Sequence, residues 1–166
     1  MNGSLHSTYK RLMNRKSLVL VLSAVFVCLC AASIAGLAAN TQVPSAAGSG
    51  QCADTILTFS AVQHNSGLIT GIAQQHDVVT GIKTTIDVTC IRVMGNEARI
   101  GGTYLRGAPI GYMGDTIVFD VVDNGEGSKA PADQFNKFHV DPCGCSGSFD
   151  STFPSERGNI QVRSGS

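Results

Sequence analysis

Apolar and polar positions alternate most regularly between Ile86 and Asp123. Ile86, Val88 and Cys90 take alternate positions, with Asp87 and Thr89 between them, which predicts a strand with one buried face. The alternation blurs at Ile91 and Val93, as it does where both faces are covered or a bulge intrudes. Gly95-Asn96 then reads as a hairpin turn, since glycine supplies the positive φ that tight turns need. The return run places Ala98, Ile100, Gly102 and Tyr104 on one face and Glu97, Arg99, Gly101 and Thr103 on the other. A third run, Thr116 to Asp123, puts Ile117, Phe119 and Val121 on one face, and Asn124-Gly125 closes it with a strong turn signal.

The same period recurs on either side. Leu57, Phe59 and Ala61 alternate with Thr58 and Ser60 as a first strand, followed by a turn at His64-Asn65-Ser66-Gly67. The decades 68–77 and 78–87 share Thr, Gly, Ile and Asp at matching positions. A solenoid needs at least three such units, so they read as two neighbouring strands with similar requirements. Pro131-Ala132-Asp133-Gln134 suggests one helical turn, because proline is tolerated at a first helical position. Phe135, Phe138 and Val140 return apolar bulk to the core, Asp141 to Cys145 forms a turn, and Ile160 and Val162 suggest a short last strand. No helix-length apolar stripe follows residue 40. The expected fold is all-β: an antiparallel sandwich or partly open barrel of about 7–9 strands, in meander or Greek-key order.

The first 40 residues differ from the rest. A basic stretch with Lys10, Arg11, Arg15 and Lys16 precedes the uncharged run Leu18 to Ala39, which ends in small residues. That layout predicts a secretory signal peptide over 1–38, cleaved just before Ala39; an uncleaved membrane anchor is the rival reading. Either way, positive charge ahead of the apolar run directs the rest of the chain out of the cytoplasm. Residues 39–51, rich in Gly, Ser and Ala, read as a flexible linker, 52–163 as a single β domain and 164–166 as a tail.

Composition adjusts this picture in two ways. The N-terminal four are among the 12 basic residues, so the region after residue 40 holds 8 of them against all 12 acids, a formal charge of −4. A mildly acidic domain with scattered cations is not built for nucleic acid, and membrane contact is expected only through the N-terminal segment. Four cysteines, Cys52, Cys90, Cys143 and Cys145, lie in the exported region and predict two disulfides with three possible connectivities. Cys143–Cys145 is disfavoured because one intervening residue closes a strained ring.

Three other chemistries compete with that reading. His139, Cys143 and Cys145 fall within seven residues, and His64 or His76 can complete an N/S set for zinc or copper(I). Exported thiols tend to oxidise instead, so no metal or other cofactor is expected. Asp120, Asp123, Asn124, Glu126 and Asp133 concentrate oxygen ligands of the kind calcium takes, but their spacing matches no EF-hand loop. Catalysis has little support: Gly-x-Ser-x-Gly, His-Glu-x-x-His and phosphate-cradling glycine loops are all missing, and no histidine has a partner at a telling spacing.

VTCIRVMGNEARIGG (88–102), FDVVDNGEG (119–127) with ADQF (132–135), DPCGC (141–145) and GNIQV (158–162) together resemble a group of exported bacterial β-proteins common in actinobacteria. The resemblance spans roughly Phe59 to Val162. It implies export, a compact β fold and a bridge from Cys90 to Cys143 or Cys145; it implies no activity. The expectation is therefore an exported, non-catalytic β module, structural or binding an envelope or extracellular partner through loops 63–67, 104–115 and 126–134. A metal-binding protein centred on His139, Cys143 and Cys145, or a small secreted hydrolase, are the alternatives.

Overall fold

The computed structural model describes residues 42–108, 114–127 and 129–166. The expected signal segment lies outside them. The first strand comes from an unexpected place. Ser45–Cys52 (β1), the stretch read as a linker, pairs along its length with Thr55–Gln63 (β2) and with Arg157–Arg163 (β10). Its small residues are what the packing needs: a Cβ on Gly48 would stand 2.3 Å from Asn159 O, and one on Gly50 2.8 Å from the Phe135 ring. Ala46 and Gly50 are both buried.

From β1 the chain meanders through β2, Ile69–Asp77 (β3), Lys83–Met94 (β4), Glu97–Arg106 (β5) and Ile117–Val122 (β6), each antiparallel to the last. Gln134–Phe135 (β7) and His139–Val140 (β8) pair with successive parts of β6, and Phe153–Pro154 (β9) pairs with β7. The ten strands make one sheet in the order β10-β1-β2-β3-β4-β5-β6-β7-β9, with β8 also on β6, curled into a half-barrel. The partly open barrel in meander order is the form adopted, with ten strands among the described residues where seven to nine were expected. Among the described residues the only helical element is the single 3-10 turn Gly144–Ser146.

The curl follows from the packing. Phe59 on β2 and Phe119 on β6 stand four strands apart in the sheet, yet their rings meet edge-on at 5.4 Å across the concave side. Leu57, Ile86, Val88, Ile91, Ile100, Ile117, Val121, Phe135 and Ile160 fill the same interior. Between β7 and β8 the chain crosses the open side. There Phe138 packs against Phe119 at 5.2 Å and its N–H donates to Gln75 Oε1 on β3 (2.7 Å), while Lys137 pairs with Asp54. Val140, expected in the core, is instead partly exposed at the surface.

Two local differences from the sequence reading have clear causes. Pro131 to Gln134 forms no helical turn, because Gln134 and Phe135 are committed to β6 and Asp133 to β10. Asn124-Gly125 ends β6 as expected, but it opens a long loop to β7 where a tight hairpin was read. The blurred alternation in β4 is a bulge: the register slips between Val88 and Cys90. Ile86, Val88 and Ile91 therefore point inward, and Cys90 joins Arg92 on the outer face.

Candidate functional site

On the outer face of β4, β5 and β6, Cys90, Arg92, Arg99, Gly101, Val118 and Asp120 would meet water in a simple half-barrel. They are covered by residues 141–150, a strap that follows β8. Its covalent tie is a disulfide, Cys90–Cys145, with Cα atoms 6.0 Å apart. The bridge lies directly over Gly101, where a Cβ would stand 2.7 Å from Cys90 Sγ and 3.3 Å from Cys145 Sγ. Arg92 donates to the carbonyls of Ser146 and Gly147 and stacks its guanidinium 4.6 Å from the Phe149 ring centroid.

Arg99 is the centre of the arrangement. Its side chain is fully buried. It faces Asp120, its cross-strand neighbour on β6, through one Nη atom at 3.0 and 3.3 Å. The same guanidinium donates to Asp141, Asp150 and the carbonyls of Gly144 and Ser148. Asp120 accepts further bonds from Asn136 Nδ2 (3.2 Å) and the Asp150 N–H (3.0 Å). One cation thus holds three carboxylates and two carbonyls, with all three guanidinium nitrogens engaged. Burial pushes the Asp120 carboxyl above the ordinary aspartate range, outweighing the help of its donors. For Asp150 burial acts the same way, but hydrogen bonds and charge from Arg99 and His139 prevail and hold it below that range.

His139 completes the cluster. Its Nε2 lies 2.9 Å from Asp150 Oδ2 and its Nδ1 3.1 Å from the Lys137 carbonyl. Both ring nitrogens therefore face oxygen acceptors, which ties the imidazole to the strap through Asp150 and to the β7–β8 connection through Lys137. The trio His139, Cys143 and Cys145 is not assembled as a ligand set: Cys145 is in the disulfide, Cys143 is an exposed free thiol and His139 is turned to Asp150. Among the described residues no group of three or more His, Cys, Asp and Glu side chains is placed to hold a metal ion. His64 meets Thr70 Oγ1 at 2.8 Å.

The expected second disulfide is not formed. Cys52 packs against the interior of the half-barrel while Cys143 stands exposed on the strap outside the sheet, so the two are on opposite faces. Among the described residues the single bridge joins Cys90 to Cys145, the second of the two cysteines that the resemblance allowed.

Of the acidic residues considered for calcium, Asp120 belongs to the Arg99 cluster, and Asp123, Glu126 and Asp133 serve the half-barrel's seam. Asp133 accepts from the N–H groups of Asn124 (2.8 Å) and Ile160 (2.7 Å), and Asp123 from those of Gly125 (2.8 Å) and Val162 (2.9 Å). Glu126 accepts from Asn159 and Gln161. Carboxylates thus stand where a neighbouring strand's carbonyls would otherwise satisfy the outer edge of β10.

One surface was missed in the sequence. The β3–β4 turn projects Val78, Val79 and Ile82 at 43%, 77% and 56% exposure. They are held outward by a turn with its own hydrogen bonds. Asp77 Oδ1 accepts from the N–H groups of Val79 and Thr80, the Asp77 carbonyl accepts from Gly81, and the Ile82 carbonyl accepts from Asp77. Those bonds, the Thr80 N–H first, hold the Asp77 carboxyl below its ordinary range. The only signal in the sequence was the run Val78-Val79 beside Thr80-Gly81. Of the loops expected to bind, 63–67 is a surface turn, residues 104–106 continue β5, 109–113 lie outside the described residues, and 126–134 belongs largely to the seam. Among the described residues no helix is long and apolar enough to cross a membrane. No protein-family model, curated protein or solved structure matches the chain.

Proposed function

We propose that the chain is an exported, non-catalytic β module that binds a cell-envelope or extracellular partner through the β3–β4 turn. The observation that carries this reading is the turn itself: three apolar side chains are held in water by a rigid, internally bonded loop instead of folding back onto the sheet. Exposed apolar clusters on a rigid scaffold are where binding is concentrated. The charged clusters, by contrast, are spent on internal contacts, at Arg99 and along the seam. A disulfide on the outer face is consistent with an oxidising compartment, and the N-terminal pattern supplies the route there.

The test is co-sedimentation of the purified protein with envelope fractions, comparing the wild type with Val79→Asp/Ile82→Asp. The expected outcome is retention of the wild type and at least a ~10-fold loss in the variant, about the effect of 1.4 kcal/mol, with the circular dichroism spectrum unchanged. Equal retention of both proteins would refute the assignment to this turn. No retention of either would refute the binding reading.

A further inference from the structure

The strap carries one cysteine in a disulfide and, two residues before it, an exposed free thiol. We propose that Cys143 is a resident exchange nucleophile for the Cys90–Cys145 disulfide, converting a staple between strap and sheet into a local Cys143–Cys145 ring. In the exchange, the Cys143 thiolate attacks Cys145 Sγ. The Cys143–Cys145 bond forms as the Cys90–Cys145 bond breaks. The electron pair leaves on Cys90 Sγ, which takes from solvent the proton that Cys143 gave up. One disulfide and one thiol are present before and after, so no outside oxidant or reductant enters.

Four features support this step. Cys143 directly precedes the 3-10 turn that contains Cys145. Two residues span at most ~7 Å even when extended, and a turn shortens this into the range of Cα separations, roughly 4.4–6.8 Å, at which disulfides form. The residue between them is Gly144, whose φ of +55° lies in the left-handed region that glycine enters without penalty. The departing Cys90 shares the outer face of β4 with Arg92 two positions on, a cation met in this structure by carbonyls and an aromatic ring. A nearby cation lowers the cost of a leaving thiolate. Finally, the strap does not depend on the disulfide alone, because Arg99 binds Asp141, Gly144, Ser148 and Asp150 independently of it. The ring product can therefore form without the strap leaving the sheet. Its one-residue spacing is strained, which sets the resting state as the Cys90–Cys145 form and makes the ring the minor, more easily reduced partner.

The experiment uses the full chain in a Cys52→Ser background, so that Cys143 is the one free thiol among the described residues; peptide mapping separates any signal from Cys28 and Cys30. The oxidised protein is held at mildly alkaline pH without added thiol, quenched in acid, alkylated with N-ethylmaleimide, digested and read by mass spectrometry. A growing fraction with alkylated Cys90 and linked Cys143–Cys145 is expected, and none once Cys143→Ser is added. The rate should be insensitive to urea well below the unfolding midpoint. Cys90 left unmodified while Cys143 is fully alkylated would overturn the proposal. So would a Cys143–Cys145 product that arises only once the protein unfolds.

Discussion

Replacing Arg99 by methionine tests whether the ion cluster, and not the disulfide alone, keeps the strap on the sheet. Methionine matches the length of the arginine stem and removes every donor. Asp120, 1% exposed, is then left with only Asn136 Nδ2 and the Asp150 N–H. Asp141 and Asp150 are less affected, since their side chains are 21% and 48% exposed and regain water cheaply. The Gly144 carbonyl also loses its bond from Arg99 and keeps only the Gly147 N–H at 3.2 Å. Stranding one member of a buried ion pair costs about 3–5 kcal/mol, which for a domain of this size lowers Tm by roughly 10–20 °C. The disulfide must stay intact in the assay. Its 55-residue separation is by itself worth about 4 kcal/mol in the chain-entropy model, and reduction would mask the effect. Urea melts under non-reducing conditions, compared for Arg99→Met, Asp120→Asn and the double variant, give the coupling. Because asparagine removes the stranded charge, the double variant should be more stable than the sum of the single changes predicts, by about 1–3 kcal/mol. A methionine variant within ~1 kcal/mol of wild type, or strictly additive changes, would show that Arg99 is a passenger.

Three further outcomes are expected. Asp133→Ala leaves the buried Ile160 N–H without its acceptor and should cost about 1–3 kcal/mol, with faster hydrogen exchange at Ile160 as the diagnostic measurement. Gly101→Ala drives a methyl into the Cys90 sulfur, 2.7 Å from its Cβ position, so free-thiol titration should find Cys90 and Cys145 incompletely bridged, with a stability loss of roughly 1–3 kcal/mol. Because Asp150 is held below the ordinary carboxylate range in the folded state, its contribution is present above that range and is lost as pH falls through its folded value. Thermal melts from neutral to acid pH should therefore fall less steeply for Asp150→Asn than for wild type; an unchanged slope would refute the linkage.

The strands with a clean period of two were legible because each buries one face: β2, β5, β6 and β10 stand close to where alternation put them. The bulge in β4 left its mark as broken alternation, although the sequence alone did not say that Cys90 would turn outward. β1 was illegible because its residues are small for a tertiary reason: β10 and Phe135 approach too closely for anything larger. Arg99 looked like an ordinary outward residue, and only the strap, about 45 positions further along the chain, makes its position a buried one. The acids after β6 were visible as a cluster, but their partners on β10 are backbone N–H groups for Asp123 and Asp133 and side-chain amides for Glu126, which no local pattern reveals.

The position of β10 has a consequence for the order of events during synthesis. The first strand of the sheet is flanked on one side by the last, with Gly48 opposite Ile160 and Ser45 opposite Arg163. As the chain emerges, β1 to β6 can pair with their neighbours in turn, but the far edge of β1 stays bare until β10 arrives. The carboxylates of Asp123 and Asp133 wait for the same strand. Closure of that edge thus waits for β10, and a chain lacking residues 157–163 would carry an open strand edge prone to pairing with another molecule.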